Sequence, residues 1–292
     1  MSSSLIEQML ADGPVLTDGA WGTQMITLGL PPGQLPDLWN LSHPQLVESV
    51  ARSYVEAGSR VILTNTFQSN RFALRDNAGD VAEINRAGAE ISRRAAAGKA
   101  KVFASIGPSN KMLITGEVSE KELVEVFSEQ AAALAEGGAD AIVVETMSDL
   151  AEASLAVGAA KSTGLPVVAS MTYDTGKDMG RTMMGITPQQ AAEGLAEAGA
   201  DVIGANCGAG IDAVAGVCAQ LSAATDLPVW IKANAGVPEL VGREVVYNTS
   251  PDEFASNVEG LIRAGADFVG GCCGTEPSFI AAMAGVLSSA DG

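Results

Sequence analysis

Glu197-Ala198-Gly199-Ala200-Asp201-Val202-Ile203-Gly204 reads as the end of a helix, a glycine free to take a left-handed cap, and a buried strand. The same phrase returns as Glu56-Ala57-Gly58-Ser59-Arg60-Val61-Ile62-Leu63, as Glu136-Gly137-Gly138-Ala139-Asp140-Ala141-Ile142-Val143, and as Arg263-Ala264-Gly265-Ala266-Asp267-Phe268-Val269-Gly270. Four copies of helix–glycine–strand describe an α/β repeat. Between them lie four further candidate strands: Val15-Leu16-Thr17, Val102-Phe103-Ala104-Ser105, Val167-Val168-Ala169-Ser170 and Val229-Trp230-Ile231-Lys232. Pro166 and Pro228 precede the last two, where the first strand position tolerates the missing N–H. All are near-continuous apolar runs, as parallel strands covered on both faces require.

Helix starts fall between the strands. Ser42-His43-Pro44-Gln45, Ser119-Glu120-Lys121-Glu122, Thr187-Pro188-Gln189-Gln190 and Ser250-Pro251-Asp252-Glu253 each fit a capping box. No linker interrupts the series, so residues 1–292 are expected to form one domain, a (β/α)₈ barrel. A doubly wound open sheet wants a G-x-G-x-x-G turn, and Asp18-Gly19-Ala20-Trp21-Gly22-Thr23 is not one.

Composition narrows the rest. The chain is 47% hydrophobic but only 4% aromatic, so small and branched aliphatic side chains are expected to fill the interior. Acidic residues outnumber basic ones 35 to 17, for a net charge of −18, and no basic patch exists to hold nucleic acid. The start, Met1-Ser2-Ser3-Ser4-Leu5-Ile6-Glu7, lacks the basic and apolar regions of a signal peptide, and no apolar run is long enough to span a bilayer. A cytoplasmic location is expected. Four cysteines in so long a chain are not a disulfide framework and point to metal or catalysis. Cys218 keeps helical spacing with Val214 and reads as a small core residue; His43, beside Pro44, reads as a surface or capping residue.

The other three cysteines sit differently. Gly270-Gly271-Cys272-Cys273-Gly274-Thr275 follows the last strand, and Gly204-Ala205-Asn206-Cys207-Gly208 follows the sixth. In such barrels the chemistry lies at the C-terminal ends of the strands. One strand separates these two, so three sulfurs are expected to converge on one mouth. Soft thiolates select zinc over magnesium, calcium or manganese, and three protein ligands with an open position make a catalytic rather than a structural site. Against this stands the plainer view that the pair are only small residues at a tight turn. Three thiolates make a poor Lewis acid for water, but such an ion suits a substrate thiol, which it ionises and leaves able to attack carbon. Alkyl transfer of this kind needs no catalytic histidine.

These cysteine motifs resemble the zinc signature of the homocysteine S-methyltransferases, a family that includes betaine–homocysteine and S-methylmethionine–homocysteine methyltransferases and the homocysteine module of cobalamin-dependent methionine synthase. Asp18-Gly19-Ala20-Trp21-Gly22-Thr23, Thr64-Asn65-Thr66-Phe67 and Glu145-Thr146 extend the likeness over nearly the whole chain. The resemblance implies that Cys207, Cys272 and Cys273 ligate zinc, with the homocysteine sulfur as fourth ligand and methionine as product. It implies that Glu145, assisted by Asn206, holds the substrate ammonium. The Gly19-Ala20 amides would take its carboxylate, with Asp18 holding the turn. For Asp18 plain turn chemistry, and for Glu145 a structural ion pair, are the competing roles.

The donor is harder to read. Betaine enzymes use aromatic cages, whereas Thr146 follows Glu145 here and the chain ends about twenty residues after the cysteine pair. Glu145-Thr146 and Ala233-Asn234-Ala235-Gly236 resemble the methionine synthase module more closely, so a methylated corrinoid on a separate protein is the expected donor, with betaine or S-methylmethionine as alternatives. The segment from Tyr173 to Gly185 is expected to be the longest βα connection, a lid or donor-docking surface. Two other functions compete: a zinc-dependent thiol-binding subunit of a larger corrinoid complex, and a barrel aldolase with Lys232 as Schiff base, which leaves the cysteines idle.

Overall fold

Strands form where the repeat places them. The computed structural model describes residues 4–242 and 244–290, so Met1, Ser2 and Ser3 of the N-terminal stretch lie outside the described residues. In chain order the barrel strands are β1 (Val15–Leu16), β2 (Val61–Ile62), β3 (Lys101–Ile106), β4 (Ala141–Met147), β5 (Val167–Met171), β6 (Val202–Gly210) and β7 (Val229–Asn234). A hairpin of β8 (Glu239–Val241) and β9 (Glu244–Val246) precedes the last barrel strand, β10 (Phe268–Gly271). The eight barrel strands are all parallel, in the order β1-β10-β7-β6-β5-β4-β3-β2. The Arg60 amide donates to the Leu16 carbonyl at 2.8 Å, bringing β2 back to β1 and the sheet round to a (β/α)₈ barrel. Gly58, Gly138, Gly199 and Gly265, the glycine of each repeat, have φ between 88° and 106°, the left-handed turn that the phrase demands.

The interior corrects one expectation. Aliphatic and alanine side chains do fill the layer between strands and helices, with Ala131, Ala153, Ala156, Ala191 and Ala192 buried there. The space inside the strands is built on three aromatics instead. Trp230 lies 6.0 Å from Phe103 and 5.5 Å from Phe268, centroid to centroid. Glycine on the neighbouring strand lets the backbone of Trp230 come close: a Cβ at Gly204 would stand 2.0 Å from the Trp230 carbonyl oxygen. Ile6 and Met9 join this cluster from an N-terminal helix, Leu5–Leu10, whose start is fixed by a Ser4–Glu7 capping box.

Capping boxes form at Ser119, Thr187 and Ser250 as expected. Ser42 does not make one. It ends a short helix, Trp39–Ser42, and its hydroxyl bonds back to the Leu38 carbonyl, so exposed His43 becomes the cap of the helix Pro44–Glu56 without a side-chain bond. Nor is the connection after β5 the longest: residues 172–187 are matched by 235–250 after β7, which carry the unforeseen hairpin. Among the described residues no helix is long and apolar enough to cross a membrane.

Candidate metal centre

Strand β7 pairs with β6 on one side and β10 on the other, so Cys207, which lies within β6 where its register shifts between Asn206 and Gly210 rather than after the strand, meets the cysteine pair that follows β10. The Sγ atoms of Cys207, Cys272 and Cys273 all lie within 4.8 Å of one another, with Cys207 and Cys273 3.9 Å apart. A tetrahedral zinc with bonds of about 2.3 Å places its sulfurs about 3.8 Å apart, so the spacing and the soft donor set both fit that ion. Cys218 stands elsewhere. It is fully buried against the Leu261 and Ala264 carbonyls, and burial pushes its thiol up to about 12.

The local backbone is arranged for the sulfurs. Cys207 has φ of 60°, a left-handed conformation that a non-glycine residue adopts only under constraint from its surroundings. On the other side, Thr275 closes a tight turn by donating its amide (3.1 Å) and its hydroxyl (2.7 Å) to the Cys272 carbonyl. A Cβ at Gly271 would lie 2.1 Å from that hydroxyl, which explains the glycine before the pair.

Asn234, at the end of β7, braces the two halves. Its Oδ1 accepts from the Cys273 amide at 3.0 Å, and its Nδ2 donates to the Gly208 carbonyl (3.0 Å) and toward Cys207 Sγ (3.7 Å). The three thiols also bond to one another. Donation from Cys272 and Cys273 holds the Cys207 thiolate and pulls its pKa far below the usual thiol range. The bond to Cys207 correspondingly keeps the protons on Cys272 and Cys273.

Beside the sulfurs opens a cavity of about 400 Å³, whose wall includes Gly19, Ala20, Glu145, Thr146 and all three cysteines. Glu145 is 7% exposed and accepts a hydrogen bond from the Ser105 hydroxyl. Burial raises its pKa, opposed by the Lys232 ammonium and the Ser105 bond. Asp18 is wholly buried: it accepts from Lys232, from the Leu63 amide (2.7 Å) and from Trp21 Nε1 (2.7 Å). It anchors the first loop to β2 and β7, consistent with holding the turn. Two expected substrate contacts are already engaged. The Ala20 amide donates to the Thr275 carbonyl at 3.1 Å and is not free for a carboxylate. The Asn206 Oδ1 accepts from the Thr146 amide (2.8 Å) and the Ser170 hydroxyl (2.7 Å), while its Nδ2 reaches Thr146 Oγ1 and Cys272 Sγ. Its amide therefore ties β4, β5 and β6 together beside the cavity.

Asn234 and Tyr247, which faces Cys273 from the segment after the hairpin, were not among the site residues read from sequence, and Asp18 and Lys232 were read separately, not as a pair. Asn234 carried a signal, since it lies in the Ala233-Asn234-Ala235-Gly236 stretch at a strand end. Tyr247 carried none.

Residues 15–287 match the homocysteine S-methyltransferase family. The methionine synthases of Mycobacterium tuberculosis and Mycobacterium leprae are 31% and 30% identical to this chain over 96% of it, which spans a quarter of their own length. The metallated Escherichia coli homocysteine methyltransferase MmuM shares the fold, with a TM-score of 0.78 over 95% of this chain and 98% of that one, at 22% identity. The chain belongs to the homocysteine S-methyltransferase family.

Proposed function

We propose that this protein methylates homocysteine to methionine, with Cys207, Cys272 and Cys273 holding one zinc ion and the substrate lying in the adjoining cavity. The convergence of three sulfurs on a cavity that also presents a buried carboxylate carries the reading. When bound, zinc supplies the acidity that ionises a thiol at neutral pH and leaves it nucleophilic. The chain's own residues do the rest. Glu145, itself nearly closed to water, offers an acceptor for the substrate ammonium, where a charge-assisted hydrogen bond is strong. With the Ala20 amide engaged, the substrate carboxylate falls to the Gly19 side of the same turn. Asn206 and Asn234 keep the strand ends, and so the sulfurs, in register.

A methylated corrinoid protein is the donor favoured by the likeness to methionine synthase. Apolar side chains stand exposed on several of the βα segments, among them Met112, Ile114, Met183, Val237 and Leu240, which suits a large donor better than a small one. Zinc-loaded protein given L-homocysteine with betaine, S-methylmethionine, methylcobalamin or a methylated corrinoid protein tests this. Methionine should form with a corrinoid donor and stop on chelation; turnover that survives removal of zinc would refute the reading. If L-homocysteine binds but no donor yields methionine, the chain is a thiol-binding subunit instead.

A further inference from the structure

The chain between β1 and β2 carries a single helical turn, Pro36–Leu38, followed by the short helix Trp39–Ser42, and together they grip the segment that follows β2. Asp37 Oδ1 accepts from the Gln68 amide at 2.9 Å and from the Ser69 hydroxyl at 2.7 Å. Asn65 Nδ2 donates to the Pro36 carbonyl (2.8 Å) and to Asn40 Oδ1 (3.1 Å), and Asn40 Nδ2 returns a bond to the Asn65 carbonyl (2.7 Å). Other elements hold the same segment at other points: Gln130 bonds the Thr66 carbonyl, Asn85 the Ser69 carbonyl and the Gly107 amide the Phe67 carbonyl. Among the described residues, Asp37 alone reaches Gln68 from another segment.

Asp37 is 2% exposed and pairs with no cation among the described residues. A carboxylate buried so far is costly unless it is hydrogen-bonded, so what it supplies is an acceptor oxygen and not half of an ion pair. Asp37, Asn65, Phe67 and Gln68 all line the cavity. In the ring of strands β2 stands directly across from β6, so this wall faces Cys207 over the barrel mouth. It also stands between the loop after β1, which carries Gly19, and strands β3 and β4, which carry Ser105 and Glu145.

We propose that Asp37 is a positioning residue for the amino-acid end of the substrate: its Oδ1 pins the Gln68 amide and the Ser69 hydroxyl, and so holds Phe67 and Gln68 as the wall between the groups offered to the carboxylate and to the ammonium. The proposal rests on the reading of the cavity as a thiol amino-acid site. It concerns neither the metal nor the sulfur bound to it.

Titration calorimetry on zinc-loaded protein compares L-homocysteine with 1-propanethiol, a thiol without the ammonium and carboxylate. A slack wall loosens the bonds to the amino-acid end, so Asp37→Ala should bind homocysteine about tenfold more weakly, with propanethiol and zinc within about twofold of wild type. Asp37→Asn keeps an acceptor oxygen and should restore homocysteine binding. Exchange of the Gln68 amide should quicken in Asp37→Ala and not in Asp37→Asn. Should Asp37→Ala not fold, Ser69→Ala removes one of the two donors and should shift homocysteine binding the same way by less. The proposal fails if the alanine variant keeps wild-type homocysteine affinity, if it weakens both thiols alike, or if Asp37→Asn behaves like Asp37→Ala. If wild-type protein binds no homocysteine, the thiol reading has failed separately, and the Gln68 exchange still decides whether Asp37 holds the wall.

Discussion

Replacing Asn234 with alanine would leave all three cysteines in place and remove what holds them at their spacing. Two part-buried hydrogen bonds of 3.0 Å vanish, from the Cys273 amide and to the Gly208 carbonyl, together with the 3.7 Å contact to Cys207 Sγ. Each bond contributes about 1 kcal/mol net, and each stranded partner adds to the cost, so a loss of about 2–4 kcal/mol in stability is expected. For a protein of this size that lowers the melting temperature by roughly 3–7 °C. Groups that orient metal ligands commonly contribute about 10–100-fold to metal affinity, so zinc should bind that much more weakly. Chelator competition measures the affinity and thermal unfolding the stability. Asn234→Asp is the companion variant. It keeps an acceptor for the Cys273 amide but sets a carboxylate against the Cys207 sulfur, so affinity should fall with less loss of stability. Zinc affinity in Asn234→Ala within about twofold of wild type would show that the sulfurs need no brace and would refute this reasoning.

Gly204→Ala should prevent folding or yield insoluble protein, because its Cβ would sit 2.0 Å from the Trp230 carbonyl on the neighbouring strand; a soluble variant with wild-type circular dichroism and melting would contradict this. Cys218 should resist alkylation in folded, metal-free protein while Cys207, Cys272 and Cys273 are modified, as peptide mass mapping would show, and equal labelling of all four would count against the core assignment. Glu152 is 6% exposed and accepts from the Ser109 amide; burial raises its pKa more than the Ser109 bonds lower it. The stability linked to its protonated form is complete below the ordinary carboxylate range and is lost as pH rises through the raised folded value. Glu152→Gln should therefore melt higher than wild type near neutral pH and not at acid pH, and parallel pH profiles of the two proteins would contradict that sign.

The strands and their order were legible because each repeat states its own local structure: a helix end, a left-handed glycine, an apolar run. The sulfurs were legible because Gly204 to Gly208 and Gly270 to Gly274 punctuate strand ends that the barrel brings together. What escaped depends on separation along the chain. Asp18 and Lys232 are 214 residues apart, and nothing in either stretch names the other. Scarcity misled as well, since few aromatics in the whole chain still sufficed to gather Phe103, Trp230 and Phe268 in one layer. Ser42 carried the right letters for a cap, but the helix it was expected to open starts after His43 because Ser42 is already the last residue of another. The engaged amides of Ala20 and Asn206 were likewise invisible, because motif position shows which groups line a site and not which are already bonded.

Zinc X-ray absorption on the loaded protein, before and after addition of L-homocysteine, bears most directly on the three-cysteine site. Three sulfur neighbours at about 2.3 Å are expected first, and four once the thiol is added, with Cys273→Ser losing the metal or one sulfur. A sulfur count below three in the free protein, or one that homocysteine leaves unchanged, would contradict a thiol-accepting zinc at Cys207, Cys272 and Cys273.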